Sequence, residues 1–160
     1  MNTGVKIVAL YLVQHGRNLP EDVDPERGLS DEGIAEVQRI AELAKGYGVH
    51  VAGIKHSGKK RARQTAEIFA SAFRPVLGVH QRDGLKPMDD VVACAREVDS
   101  QSNLMLVGHL PFMSKLAAYL IAGSIDRPVL KFQNGGIVCL EWEAVSRQWV
   151  IKWTLMPTID

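Results

Sequence analysis

The sequence predicts an α/β fold with a mostly parallel central sheet, and three observations support this. Residues 7–13 form a run of seven apolar residues with β-branched members, which is typical of a strand buried on both faces. Residues 30–56 read as a helix followed by a strand, so the three elements make a parallel unit with a right-handed crossover. A later stretch, residues 103–107, is apolar from Leu104 onward and is followed by glycine and histidine, so it resembles the end of the first strand.

Length and composition limit the possible classes of protein. With 160 residues, 46% of them apolar, the chain is predicted to be a single domain, residues 1–160. A balance of 19 basic and 18 acidic side chains argues against a general nucleic-acid-binding surface. No apolar run reaches the roughly 18 residues of a membrane span, and the N-terminus lacks a secretory cleavage site. We therefore expect no membrane partner.

The two cysteines indicate the compartment. Cys94 and Cys139 lie in apolar surroundings without the spacing of metal ligands. Buried free thiols in a reducing environment are the simplest interpretation. We therefore expect a cytoplasmic protein.

The first strand ends at a candidate site. Gln14 and His15 should emerge at its carboxyl end, where open α/β sheets bind ligands, and Gly16 permits a sharp turn. Taken alone, a histidine after a strand is more often a hydrogen-bonded loop residue than a catalyst. The case for function depends on the stretches that follow.

Residues 17–28 are rich in charge and contain two prolines, which predicts a loop. Loops of about a dozen residues in compact domains are often binding loops or lids. Arg17 and Arg27 could both face a pocket at the strand end. Solvated loop arginines are an equally good interpretation of each.

The next elements follow from helix signals. Ser30 is a good N-cap, and Asp31 and Glu32 suit the positive end of a helix that ends near residues 46–48. Residues 49–56 are then predicted to be a strand.

A basic stretch begins the second helix. Five of the nine residues from Lys55 to Arg63 are basic and none is acidic. Cations oppose the dipole at a helix N-terminus, and a bound anion would reverse that penalty. We interpret this stretch as a phosphate-binding end, with Arg61 best placed; a solvated basic face is the alternative.

The same stretch nearly matches the phosphate loop of nucleotide hydrolases, G-x-x-x-x-G-K-[ST], over residues 53–60. Lys60 replaces the hydroxyl residue that binds magnesium. Gly53 also falls inside the predicted strand rather than in a loop after it. Both departures argue against nucleotide hydrolysis.

His109 repeats the arrangement of His15. It should lie at the carboxyl end of one strand and the amino end of a helix, since Pro111 suits a first helical turn.

The other elements are less distinctive. Residues 76–79 are a short strand candidate, and residues 91–98 a helix. Residues 128–153 alternate in strand fashion around residues 134–136 and 144–147, which predicts a hairpin or meander at one edge of the sheet.

Four short motifs in the right order resemble the histidine phosphatase superfamily, with its phosphoglycerate-mutase-like fold, and within it the SixA-type phosphohistidine phosphatases. The resemblance covers residues 7–157 and implies a three-layer α/β/α domain. The family motif R-H-G matches Gln14-His15-Gly16, and the family arginine before L-[ST]-x-x-G matches Arg27 before residues 28–33. The motif S-x-x-x-R-A-x-Q-T matches residues 57–65, and V-G-H-x-P matches residues 107–111.

The resemblance implies a phosphatase that works without metal or cofactor. His15 would be the nucleophile that accepts the phosphoryl group, and Arg27, Arg61 and His109 would hold its oxygens. The residue types suit this chemistry, since a neutral imidazole is nucleophilic near pH 7 and guanidinium groups bind phosphate in a planar fork. Water would then hydrolyse the covalent phosphohistidine.

Gln14 departs from the family pattern, which has arginine at this position. An amide donates without charge, and the loss could slow turnover by about ten- to a hundredfold. Arg17 could swing in as a substitute, so we count Gln14 and Arg17 with the candidate phosphate-binding residues. The alternative is a weakened member that only binds phosphorylated ligands.

The substrate class follows from the lack of an obvious general acid. Only Asp83, Asp89 and Asp90 occupy the relevant part of the chain, and none lies in a recognisable motif. This favours phosphohistidine in a partner protein. The alternative is a small phosphorylated molecule, with the chain acting as a phosphomonoesterase.

Overall fold

In a computed structural model, which describes residues 8–159, the chain forms one six-stranded sheet. Its strands are β1 (Leu10–Gln14), β2 (Gly53–His56), β3 (Val79–Gln81), β4 (Leu104–Gly108), β5 (Ile137–Glu143) and β6 (Gln148–Leu155). They lie in the order β3-β2-β4-β1-β5-β6. The first four strands pair in parallel, and β5 and β6 are antiparallel, which confirms the mostly parallel sheet.

The helices cover both faces of this sheet. They are α1 (Asp31–Gly46), α2 (Lys60–Phe73), α3 (Val91–Glu97) and α4 (Phe112–Ala122). One apolar cluster includes Val37 of α1 and Ala66 of α2, and the other includes Val91 of α3 and Leu116 of α4. Strand β1 supplies alternate side chains to both clusters, as its continuous apolar run predicts. Residue 7, the predicted start of this strand, lies outside the described residues.

Strand β1 begins at Leu10 rather than residue 7, and β2 and β3 also begin later than predicted. The N–H of Val49 donates to the Ala44 carbonyl and so closes the end of α1, which leaves β2 to begin at Gly53. The N–H of Gly78 donates to the Pro75 carbonyl in a turn, which delays β3 to Val79. The N–H groups of Val49 and Gly78 are therefore satisfied within turns and not by a strand neighbour.

The predicted pairing of residues 128–134 was wrong, whereas the hairpin around residues 144–147 is present. Val129, Leu130 and Phe132 pack against the apolar cluster of α3 and α4, which explains their alternation. They find no strand partner because β5, the strand that follows the turn at residues 134–136, is already flanked by β1 and β6.

The register of three neighbouring strands places the candidate site. Gln14 lies opposite Gly108 in the β1–β4 pair, and His56 lies opposite Val107 in the β2–β4 pair. Ser57, His109 and His15 therefore follow β2, β4 and β1 in a row at the carboxyl edge of the sheet.

Candidate active site

Two histidines lie side by side at the carboxyl ends of β1 and β4. The ring centroids of His15 and His109 are 5.0 Å apart, and both side chains are buried. They come together because their strands are parallel neighbours.

His15 is held through Nδ1. That atom lies 2.7 Å from the Gly16 carbonyl oxygen, which can only accept, so Nδ1 carries the proton and Nε2 keeps its lone pair. Burial lowers the pKa of His15 to about 4; the Gly16 hydrogen bond opposes this, and the Arg61 charge adds to it. His15 is therefore a neutral imidazole near pH 7, with Nε2 available as a nucleophile.

His109 is held through the opposite nitrogen. Its Nε2 lies 2.6 Å from Ser57 Oγ, and its buried Nδ1 has no hydrogen-bond partner among residues 8–159. Burial lowers the pKa of His109 to about 3, assisted by the neighbouring His15, Arg61 and Lys59. This imidazole is also neutral near pH 7.

Arg61 lies in the first turn of α2 and reaches the histidines. Its Nε donates to His15 Nε2 over 3.3 Å. Burial lowers its pKa, and so does the charge of Arg27. Lys59, the N-cap, supplies no side-chain acceptor to the first turn. The backbone N–H groups there suit an anion, as the basic stretch predicted.

One face of α2 joins the segments that form the site. Arg61, Gln64 and Thr65 share that face because they are three and four residues apart. Gln64 Oε1 accepts from the Leu29 N–H at 2.7 Å. Thr65 Oγ1 accepts from the Gly16 N–H at 2.9 Å and donates to the Arg61 carbonyl. No role was predicted for Gln64 and Thr65, although their spacing from Arg61 could have indicated one.

Arg27 lies at the rim, in the loop before α1. Its backbone has a φ of +50°, and its half-exposed guanidinium pairs with Glu21 at 2.9 Å. Asp24 accepts from the Gly28 N–H and pairs with Lys60 of α2 at 2.9 Å. Lys60 therefore ties the loop to α2, so this member of the basic stretch is already paired.

Arg17 turns to α1. Its Nε lies 2.9 Å from Glu36 and its Nη1 lies 3.3 Å from Glu32. The Arg17 backbone also passes so close to Gly33 that a Cβ at position 33 would collide with it. The structure does not place Arg17 with the two histidines.

Gln14 and the turn before β5 complete the site. Gln14 Oε1 is buried and has no hydrogen-bond partner in the described part of the chain. The Gly135 N–H donates to the Gln14 carbonyl, and Asn134 Nδ2 donates to the His15 carbonyl at 2.9 Å. Asn134 thus fixes the histidine turn, a contact that the sequence analysis missed.

The candidate acids lie on the segment before α3. Asp90 caps α3 by accepting from the Ala93 N–H, and Asp89 accepts from the Lys86 N–H. Asp83 is exposed. Together they line a cavity beside α3, and none forms a hydrogen bond to either imidazole in the structure of residues 8–159.

Residues 10–90 match the sequence pattern of the histidine phosphatase superfamily, branch 1. An uncharacterized protein of Picosynechococcus sp. is 32% identical over 151 residues, covering 87% of this chain and 88% of the relative.

Two solved structures have a similar fold. The protein histidine phosphatase SixA complexed with tungstate superposes with a TM-score of 0.80 at 22% identity, covering 93% of this chain and 97% of that one. A structure from Agrobacterium tumefaciens assigned as phosphohistidine phosphatase SixA has a TM-score of 0.74 at 25% identity, covering 94% and 98%.

Proposed function

The chain belongs to the histidine phosphatase superfamily, and from this we propose that it hydrolyses a phosphoryl group through a covalent phosphohistidine on His15. The observation that carries the proposal is the unprotonated Nε2 of a neutral His15, which Arg61 contacts, beside a His109 Nδ1 that has no partner among residues 8–159. These groups combine a nucleophile with donors for phosphoryl oxygens.

In the proposed first step, Nε2 of His15 attacks phosphorus in line as the bond to the leaving group breaks. Arg61 turns from Nε2 to the phosphoryl oxygens, which Arg27 and His109 also bind. Water then attacks phosphorus, the bond to Nε2 breaks, and phosphate leaves with His15 restored. The guanidinium groups supply the positive charge, so the proposal needs no metal or cofactor.

We propose phosphohistidine in a partner protein as the substrate. An imidazole already protonated on its distal nitrogen leaves as a neutral molecule and needs no side-chain acid. The bonds of Asp89 and Asp90 to local backbone support this, because they leave neither carboxylate at the histidines. A small-molecule phosphomonoester, the alternative, has an alkoxide leaving group that calls for such an acid.

Gln14 favours a second candidate, a phosphate-binding module without turnover. It brings no charge to the site, and its buried Oε1 accepts from no group in residues 8–159. Arg17 could replace that charge only by leaving Glu36, which it contacts at 2.9 Å.

A cytoplasmic location remains part of the proposal. Cys94 and Cys139 are free, buried thiols, which suits a reducing compartment. In residues 8–159, no helix has the length and apolarity that a membrane crossing requires.

Phosphoryl trapping tests the proposal. The wild type, His15→Ala and His80→Ala are mixed with a carrier protein radiolabelled on phosphohistidine and quenched in alkali, which preserves the P–N bond. His80 is exposed and serves as the matched control. We expect label and phosphate release with the wild type and His80→Ala only.

Two results would contradict this. Label on His15→Ala would exclude His15 as the nucleophile. Absence of label and release from every variant, with tungstate still bound, would favour the binding module.

A further inference from the structure

The contact between Ser57 and His109 is built into the sheet. The residues follow the neighbouring parallel strands β2 and β4, and both side chains are 1% exposed. Ser57 Oγ lies 2.6 Å from His109 Nε2, closer than the 3.3 Å between Arg61 Nε and His15 Nε2. Solvent therefore offers neither group another partner.

The surrounding hydrogen bonds give this contact a direction. The Lys59 N–H donates to Ser57 Oγ over 3.3 Å, so the oxygen already accepts one bond. The hydroxyl hydrogen needs an acceptor of its own, and within residues 8–159 His109 Nε2 is the group in reach. A proton on Nε2 would leave that hydrogen buried without a partner, which is unfavourable.

The direction of the Ser57–His109 hydrogen bond decides whether Nδ1 of His109 presents a proton or a lone pair to a ligand. If Nε2 accepts from Ser57, a neutral His109 carries its proton on Nδ1. Nδ1 is buried beside His15 and unpartnered in the described part of the chain. As an N–H group it can donate to a phosphoryl oxygen, whereas in the other tautomer its lone pair would repel that oxygen.

We propose that Ser57 is a positioning residue that fixes His109 in the tautomer with the proton on Nδ1, so that this N–H binds a phosphoryl oxygen. The donors form one chain, from the Lys59 backbone through Ser57 and His109 to the oxygen. The inference rests on the proposed function, since it concerns the same pocket. It adds the group that selects one of the two imidazole nitrogens.

Nuclear magnetic resonance of the histidine ring nitrogens tests this directly. The wild type, Ser57→Ala, Ser57→Thr and Ser71→Ala are compared near pH 7, with the His109 signals assigned through His109→Gln. Ser71 is an exposed serine on α2 whose hydroxyl, within residues 8–159, bonds only to the Glu67 carbonyl, which makes it the matched control. Tungstate is the probe for binding.

In the wild type and Ser71→Ala we expect a protonated Nδ1 and an unprotonated Nε2 on His109. Ser57→Ala should show a mixture of tautomers and bind tungstate about 10- to 100-fold more weakly. Ser57→Thr keeps the hydroxyl and should keep the wild-type tautomer. A purely structural role for Ser57 would not move the tautomer.

A proton on Nε2 of wild-type His109, or the wild-type tautomer in a folded Ser57→Ala, would overturn the inference. If Ser57→Ala does not fold, a proton on Nε2 in the wild-type spectrum still overturns the inference. Neither measurement needs turnover. A protein with the expected tautomer that leaves phosphohistidine intact would therefore contradict the proposed function and not this inference.

Discussion

The two histidines of the site have similar positions but are held differently. Both follow parallel strands, both are buried, and burial lowers both pKa values. His15 is held through Nδ1 by the Gly16 carbonyl, whereas His109 is held through Nε2 by the Ser57 hydroxyl. The ring nitrogen that this contact leaves open to a ligand therefore differs between the two histidines. The distal Nε2 suits a nucleophile, and the proximal Nδ1 suits a fixed donor.

The two groups that anchor the histidines, the Gly16 carbonyl and the Ser57 hydroxyl, also differ in how they can be removed. A carbonyl is part of the backbone, so no side-chain deletion takes it from His15. A side chain at position 16 would disturb this turn, because a Cβ there would lie 2.8 Å from Val37 Cγ2. The anchor of His109 is a single hydroxyl. Substitutions should therefore affect the two histidines unequally.

The largest expected effect separates their roles. His15→Ala should lower kcat/KM on a phosphohistidine carrier protein by about 10⁴-fold or more, because the nucleophile is lost. His109→Ala should lose about 10²- to 10³-fold, the usual effect of removing one donor to the transition state. Steady-state kinetics checks this. Equal losses would contradict the assigned difference in role.

A smaller effect is expected from the arginines nearby. Arg61→Met should weaken tungstate binding by about 10- to 100-fold, because a charged donor beside His15 is lost. Arg17→Ala is the matched comparison, measured by calorimetry. The pairing of Arg17 with Glu36 favours unchanged binding, which would remove the hypothesis that Arg17 replaces the missing arginine. Weaker binding would support that hypothesis.

The residues that precede the histidines offer a third test. Gln14→Arg adds a charged donor next to His15, and we expect turnover to rise by about tenfold. At position 108 a Cβ would lie 2.8 Å from Met113 Sδ, so the same substitution there would first require that side chain to move. Lower turnover in a folded Gln14→Arg protein would indicate that the amide is required.

The smallest effect concerns stability against pH. Both histidine pKa values are lower in the folded protein, so the unfolded chain takes up protons first as the pH falls below about 6.5. The free energy of unfolding should decrease from pH 7 towards pH 4, by at most about 1.4 kcal/mol per pH unit for each histidine. Urea unfolding measures this slope, and His109→Gln should reduce it. A variant with the wild-type slope would contradict the buried, neutral state of His109.

Local signals in the sequence identified much of the fold. The apolar run of β1 predicted a strand buried on both faces, and Ser30 marked the start of α1. The strand boundaries were less accurate. Val49 and Val129 have side chains that suit a strand, but their partners are a helix end and an apolar cluster. Side-chain pattern reports burial, and it does not report which backbone groups are paired.

The sequence by itself determined that two apolar strands lead into His15 and His109 and which helix begins with cations, since both follow from short-range pattern. Only the tertiary structure decided which nitrogen of each histidine is free and that Arg17 turns to α1. These outcomes depend on partners far apart in the chain, such as Ser57 and His109, which are 52 residues apart. Adjacent parallel strands bring them together, and in a buried site each donor must find an acceptor among the few groups in reach.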